Sequence, residues 1–374
     1  MLTHRPRLSG VATGLVVTVL CTLYFFVLRP EDEAELFTFD LRVRECSPLP
    51  PAAPIVHVDI DDNALLRVGR WPWRRDVLAD VLRSLHDLGA EVVAVDILLS
   101  EPEATRLDDP RYSRDADIKG AVEIQGEISQ GNLVFGDLEL ADAVRAAGNV
   151  YLPIQLEVRL PGEPAGVLDR LRAAWRDHQS LNPGQAVAVL GVEDTAEIRQ
   201  TFHRELLRLR IAELLRRDFT LNESQLAAAL ETSAPEVYAV IAGVKSEVAG
   251  ELVGGLFTAG PVPTLEDALQ AVLGEEQNRN TADRADAVAA YREQLSLRAA
   301  LAATGPLEAD LAQRMGVATR ATAPHFLLAG AARQVGAVTF RADADGSVRR
   351  VPLIVDFRGR AVKQLGFAVA CDVL

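Results

Sequence analysis

The tripeptide Val-Asp-Ile occurs twice, as Val58-Asp59-Ile60 and Val95-Asp96-Ile97, each near the carboxyl end of an apolar run. Were those runs neighbouring strands, two carboxylates would share a low-dielectric place where both cannot stay charged without a partner. Asp61, Asp62, Ser100 and Glu101 follow the same runs, and ligands of open α/β sheets sit beyond the carboxyl ends of their strands. A cationic ligand or a divalent metal is one way to neutralise the acids. Arg74 or Arg75, reaching across from a helix start, is the other, with loop amides assisting and no ligand required. Trp71 and Trp73 flank Pro72 at that helix start, where they suit either the cap of a small-molecule pocket or plain helix-entry packing. The candidate ligand-binding set is therefore Asp59, Asp61, Asp62, Trp71, Trp73, Arg74, Arg75, Asp96, Ser100 and Glu101. No metal and no cofactor is named by these residues.

Catalytic chemistry is poorly supplied. Of 39 basic residues only Lys119, Lys245 and Lys363 are Lys, which leaves few candidates for Schiff-base or P-loop work. Asp59-x-Asp61 resembles the start of some metal-dependent phosphotransferases, with Asp59 as nucleophile and Asp61 as acid. A phosphatase-like hydrolase is thus the alternative reading. It needs a Lys on the phosphoryl group and a further acidic pair on the metal, and neither Lys119 nor Lys363 stands at a strand end or helix start. The expectation is a protein that is not an enzyme. Asp343 and Asp345 before Gly346 echo a calcium loop, but Arg341 and Val348 occupy places where oxygen ligands are needed, so a tight turn is expected. The six histidines have no metal-ligand spacing, and the three cysteines contain no CxxC pair.

The elements that would position the first set read as strand, helix, strand. Four prolines in Ser47 to Pro54 exclude regular structure, and Ile55 to Ile60 then reads as a buried strand. Val77, Leu78, Val81, Leu82, Leu85 and Leu88 recur at helical spacing, and Gly89 supplies the stop. Val92 to Leu99 is a second apolar strand, so a parallel pair covered on both faces is expected. Residues 102–137 read as a polar surface loop, Leu138 to Ala147 as a short helix, and Asn149 to Val158 as a third strand. Phe326 to Val335 reads as a helix, and Ala337 to Phe340 with Val348 to Phe357 as a hairpin about the Asp343–Gly346 turn. Between Pro161 and about Thr322 the period is helical throughout. Leu168, Leu171 and Trp175 share one face there, as do Ile198, Phe202, Leu206 and Leu209, fit for packing within one protomer or across a homodimer. Leu221 to Gly243 has the cadence of a helix-turn-helix but reads as two packed helices.

The whole is thus an α/β protein: a mixed sheet with parallel core strands and a C-terminal antiparallel hairpin, a large all-helical insertion and one N-terminal transmembrane helix. Its 374 residues, 49% hydrophobic and 25% charged, describe a folded chain. A net charge of -14 repels a phosphate backbone, so no nucleic-acid partner is expected. Leu8 to Leu28 runs 21 residues without a charge, enough as a helix for roughly 30 Å of hydrocarbon. Arg5 and Arg7 precede it and Glu31, Asp32, Glu33 and Glu35 follow, which keeps the N-terminus in the cytoplasm and sends the rest outward. A cleaved signal peptide is the rival, but no small-x-small site follows in RPEDEAE. The expected divisions are a cytoplasmic N-terminus (1–7), a membrane helix (8–28), a linker (29–54), a sensor-like α/β domain in two parts (55–160 and 323–374) and a helical insertion (161–322).

Residues Ile55 to Glu103, with VDIDD, the WPW-R-R helix entry, GA before the second strand and VDILLSEP, resemble the type-two CHASE domain, an extracytoplasmic sensory module of bacterial receptors. VGAVTFRADADGSVRRVPLIVDFRG resembles that family's closing hairpin and AGNVYLP its third strand. The resemblance covers about half of the chain and has no counterpart for the helical middle. It implies a sensor in the inner membrane, its bulk periplasmic or extracellular, that binds a small ligand or ion. It also implies signalling to a cytoplasmic output such as a cyclase or kinase. The sequence reaches Leu374 within the apolar stretch LGFAVACDVL, so the output module is expected outside these residues, whether this is a fragment of a receptor or its input half.

Overall fold

The computed structural model describes residues 10–23, 31–46, 55–104, 106–107, 133–160, 165–258, 261–274, 281–312, 314–340, 342–343 and 345–373. The chain divides into two units, Met1–Gly69 and Arg70–Leu374. The first holds α1 (Gly10–Leu23), α2 (Glu31–Glu45), a segment from Ile55 to Asp61 without regular structure, and α3 (Asp62–Val68). Helix α1 carries 14 residues of the apolar run; residues 8–9 and 24–28 lie outside the described residues. Among the described residues no helix is long and apolar enough to cross a membrane.

The second unit begins with α4 (Arg75–Asp87), β1 (Val93–Ala94), the small β2 (Arg106–Leu107) and β3 (Leu133–Val134) pair, α5 (Gly136–Ala147) and β4 (Val150–Arg159). Eight helices follow: α6 (Val167–Asp177), α7 (Pro183–Leu190), α8 (Ala196–Arg217), α9 (Glu223–Ala229), α10 (Ala234–Leu256), α11 (Leu265–Leu273), α12 (Thr281–Leu301) and α13 (Ala309–Ala312). The chain then returns through β5 (Gly316–Thr322), α14 (Phe326–Ala331), β6 (Gln334–Ala337), β7 (Ile354–Phe357), β8 (Arg360–Lys363) and α15 (Leu365–Val373).

Strand β4 organises a mixed sheet. Its first half lies between parallel β1 and parallel β6, with Val93 opposite Val150 and Tyr151 opposite Gln334. From Val150 to Ile154 it is buried without alternation, as a strand covered on both faces must be. From Gln155 on, burial alternates and β4 pairs antiparallel with β5, Gln155 facing Thr322. β5 runs parallel to β7, which forms a hairpin with β8. Leu78, Leu82, Leu140, Val144, Leu152, Ile154 and Leu328 fill one core between the sheet and α4, α5 and α14. On another cluster Tyr151 packs with Leu365 and Ala368 of α15. A second core, of Ile211, Leu215, Leu226, Val244, Val248 and Leu269, belongs to α8 to α12, and a third joins α6, α7 and the start of α8.

Several expectations are met in place. Gly89 ends α4 in a left-handed conformation (φ 84°) and α5 and β4 fall where the periodicity puts them. Leu171, Trp175, Phe202 and Leu206 share one core within the chain. The helix-turn-helix-like segment is α9 packed on α10, each opened by its own start signal: the Asn222–Gln225 capping box and Pro235 in the first turn.

Other expectations are corrected. Ile55–Ile60 forms no strand among the described residues and is exposed, Ile55 at 75% and Val56 at 81%. Apolarity specifies burial in general and names no partner; the neighbours of the doubly covered strand are β1 and β6. The helical insertion does not reach Thr322, because Gly316–Thr322 forms β5 against β4. Gly316 is required there, since a Cβ on it would stand 2.6 Å from Val158 Cγ1. The C-terminal hairpin is Ile354–Phe357 with Arg360–Lys363 and not Ala337–Phe340 with Val348–Phe357. Arg358 and Gly359 both take positive φ (55° and 73°), which is the two-residue turn that matches strand twist. The Asp343–Gly346 segment still turns, closed by the Gly346 N–H on Asp343 O at 2.9 Å. The predicted helix from Phe326 stops at Ala331, and Gln334–Ala337 is strand β6.

Candidate functional site

The starts of α4, α5 and α14 come together behind the segment that follows β1. Helix α4 has no side-chain cap of its own at Arg74; instead its first N–H, from Arg75, donates to Glu103 Oε1 at 3.1 Å. The Arg75 guanidinium donates from Nε to Asp137 Oδ1 at 3.2 Å and from Nη2 to the Glu101 carbonyl at 3.0 Å. The second oxygen of Asp137 accepts the Glu103 N–H at 2.7 Å. Asp137 stands in the first turn of α5 and is buried at 8% exposure, a position where the helix dipole favours a carboxylate. Gly136 makes the approach possible: a Cβ there would lie 1.6 Å from Glu103 Oε2 and 3.0 Å from Arg75 Cβ. One guanidinium and two helix starts thus hold two carboxylates in a largely dry place, which is how buried acids are tolerated.

His325 closes the junction from the other side. It precedes α14, its N–H donates to the Leu99 carbonyl at 2.7 Å, and its ring lies 4.4 Å from that of Phe326. The residue is 5% exposed and its Nδ1 has no hydrogen-bond partner. Burial pushes its basicity below the usual imidazole value; Asp137 opposes that push, and Arg292 and Arg75 add to it. The imidazole is therefore neutral at physiological pH, an uncommon state for a buried polar atom without a partner.

The sequence-derived site residues divide between the two units. Asp59 is exposed in the segment before α3, and Asp61 caps α3 by accepting the Ala64 N–H at 2.8 Å, which holds its carboxyl below the usual range. Asp62 is the first residue of α3 and exposed. Asp96 is exposed as well, so neither Val-Asp-Ile acid is buried as expected. Arg74 pairs with Asp76 at 2.9 Å, and Arg75 with Asp137. Trp71 and Trp73 meet as a tilted pair, ring centroids 6.0 Å apart and planes at 59°, with Trp73 packed against the sheet core. Of the whole set, Arg75 and Glu101 meet at the junction; Ser100 is half-buried on the same segment.

Glu103, Asp137 and His325 are the junction residues that the sequence reading missed. The one signal was Gly136-Asp137 directly before an apolar helix, a small residue and an acid at a helix start. Among the described residues no three His, Cys, Asp or Glu side chains are grouped to hold a metal ion. Asp343 and Asp345 are bound by Arg349 at 2.9 and 2.7 Å. Lys363 is the last residue of β8, two residues before α15, which corrects the expectation that it stands at no strand end; Lys119 lies outside the described residues.

A family profile described as the CHASE2 domain matches residues 13–374, and so includes the helical middle that the motifs alone left unplaced. No curated protein and no solved structure matches the chain. With the profile spanning nearly the whole sequence, the chain belongs to the CHASE2 domain family, a family of extracytoplasmic sensory domains.

Proposed function

We propose that this chain is the input domain of a bacterial transmembrane receptor and that the Arg75–Glu103–Asp137–His325 junction is where it takes its stimulus. The observation that carries the reading is family membership across residues 13–374, joined to a junction whose hydrogen bonds tie three helix starts together. A stimulus that competes for Asp137 or Arg75 changes how α4, α5 and α14 meet, and a ligand acts only through such a difference between two states. The apolar run of residues 8–28, with Arg before it and acids after it, supports a single membrane crossing with the bulk of the chain outside. A homodimer would let the two copies report the change to a cytoplasmic cyclase or kinase.

Thermal melting of the full chain against small carboxylates, amines, divalent ions and buffers of stepped pH tests the reading. At least one condition is expected to shift the midpoint in wild type and not in Arg75→Gln. Indifference of wild type to every condition contradicts it.

A further inference from the structure

We propose that the stimulus taken up at this junction is the proton, so that acidification of the outer compartment charges His325 and releases the contacts that join α4, α5 and α14. The inference rests on the junction being the sensor's input site, and it names the ligand class.

His325 is held on all sides. Its backbone N–H is fixed to Leu99 O at 2.7 Å and its side chain is 5% exposed. The charged groups that face it come from three elements: Arg75 at the start of α4, Asp137 at the start of α5 and Arg292 on α12. Glu103 binds both Arg75 and Asp137, and α14 itself, FLLAGA, carries no titratable side chain. Two guanidinium groups and a dry setting keep the ring neutral, with Nδ1 unpartnered. A proton needs no entry wider than a water molecule requires, whereas a larger ligand would have to open the packed helix starts first.

When the ring takes a proton from water it becomes a buried imidazolium, whose charge Arg292 and Arg75 disfavour and Asp137 favours. Asp137 is the facing anion, and both of its oxygens are already engaged, one by Arg75 and one by the Glu103 N–H. If Asp137 turns to the imidazolium it gives up the hydrogen bond from Arg75, the one from the Glu103 N–H, or both. If it stays, a buried charge stands uncompensated. Either outcome favours a second arrangement of the junction, which is the two-state element a histidine switch requires. The sign follows from linkage. The folded form binds its proton less readily than a free imidazole, so stability is full above the ordinary value of 6.5 and falls as pH drops through and below it.

The test is the intrinsic tryptophan fluorescence of the full chain, with Trp73 two residues from Arg75, titrated from about pH 8 to about pH 5. Wild type is expected to show a sigmoidal change with its midpoint below 6.5, and His325→Gln is expected to lack it. Arg292→Gln, on an exposed position of α12, is expected to fold normally and to raise the midpoint by about half a pH unit. It also carries the test alone should His325→Gln fail to fold. The same curve in wild type and His325→Gln, or an unmoved midpoint in Arg292→Gln, overturns the proposal. A wild-type chain stabilised by a small molecule but flat in this titration overturns the proton assignment while leaving the sensory reading intact.

Discussion

Asp137 has no slack: one oxygen serves Arg75, the other the Glu103 backbone, and the residue is 8% exposed. Removing its charge takes from the half-buried Arg75 guanidinium the carboxylate it donates to, and breaking a buried pair from one side costs about 3 to 5 kcal/mol. Asp137→Asn is therefore expected to lower unfolding stability by that order in urea, with the m-value unchanged. A loss within about 0.5 kcal/mol would mean that the pair is solvated and the junction is not a closed one. At this scale the sequence was legible only in part. Arg75 and Glu101 were marked by their place beside an apolar run. Asp137 lies 62 residues from Arg75, and His325 is further along still, so no local pattern joins them. Asp59 and Asp96 misled because burial was inferred from the apolar residues around them, and an acid's own exposure is not written in its neighbours.

Helix α12 is the element that couples the two cores. Ala287 and Ala290 on it belong to the helical core, while Leu297 and Ala300 belong to the sheet core; its 21 residues span about 30 Å as a helix. Near its start the buried Asp283 meets Lys245 of α10, whose ammonium also lies 5.3 Å from the centre of the Phe219 ring. Lys245→Met alone is expected to cost about 3 to 5 kcal/mol by removing the ammonium that balances the buried Asp283 carboxylate, and Lys245→Met with Asp283→Leu is expected to recover most of that loss. Non-recovery in a denaturation series would assign the pair a positioning role beyond its charge balance. Helical elements were the readable part of this chain, because a 3.6-residue period and caps such as Asn182, Thr195, Asn222 and Thr264 are local signals. Strands were less so. β1 has two ladder residues, and β5 and β8 have seven and four. They are strands because of partners far along the chain.

At the scale of the second unit, the junction and the last helix share one route. His325 opens α14, α14 leads within three residues to β6, and Gly336 of β6 lets α15 press against it, since a Cβ there would stand 2.5 Å from Leu365 Cα. The far end of α15 is tied to the central strand: Asp372 accepts the Tyr151 hydroxyl at 2.5 Å and the Arg333 Nε at 3.0 Å. Burial and the adjacent Asp372 raise the Tyr151 phenol above its ordinary value, so this tie persists across the physiological range. A change at the junction therefore has a packed path to the C-terminal helix. The α/β class, the helical insertion and the family resemblance were legible from motif order, while this path was not, because it runs through backbone contacts between segments distant in sequence. The most direct test of the account is backbone amide exchange on the full chain at one pH, comparing wild type with Asp137→Asn. The account predicts faster exchange in residues 99–103, in the first turns of α4, α5 and α14, and in α15, with α10 unchanged; faster exchange confined to α4 and α5, or spread evenly over all helices, would contradict it.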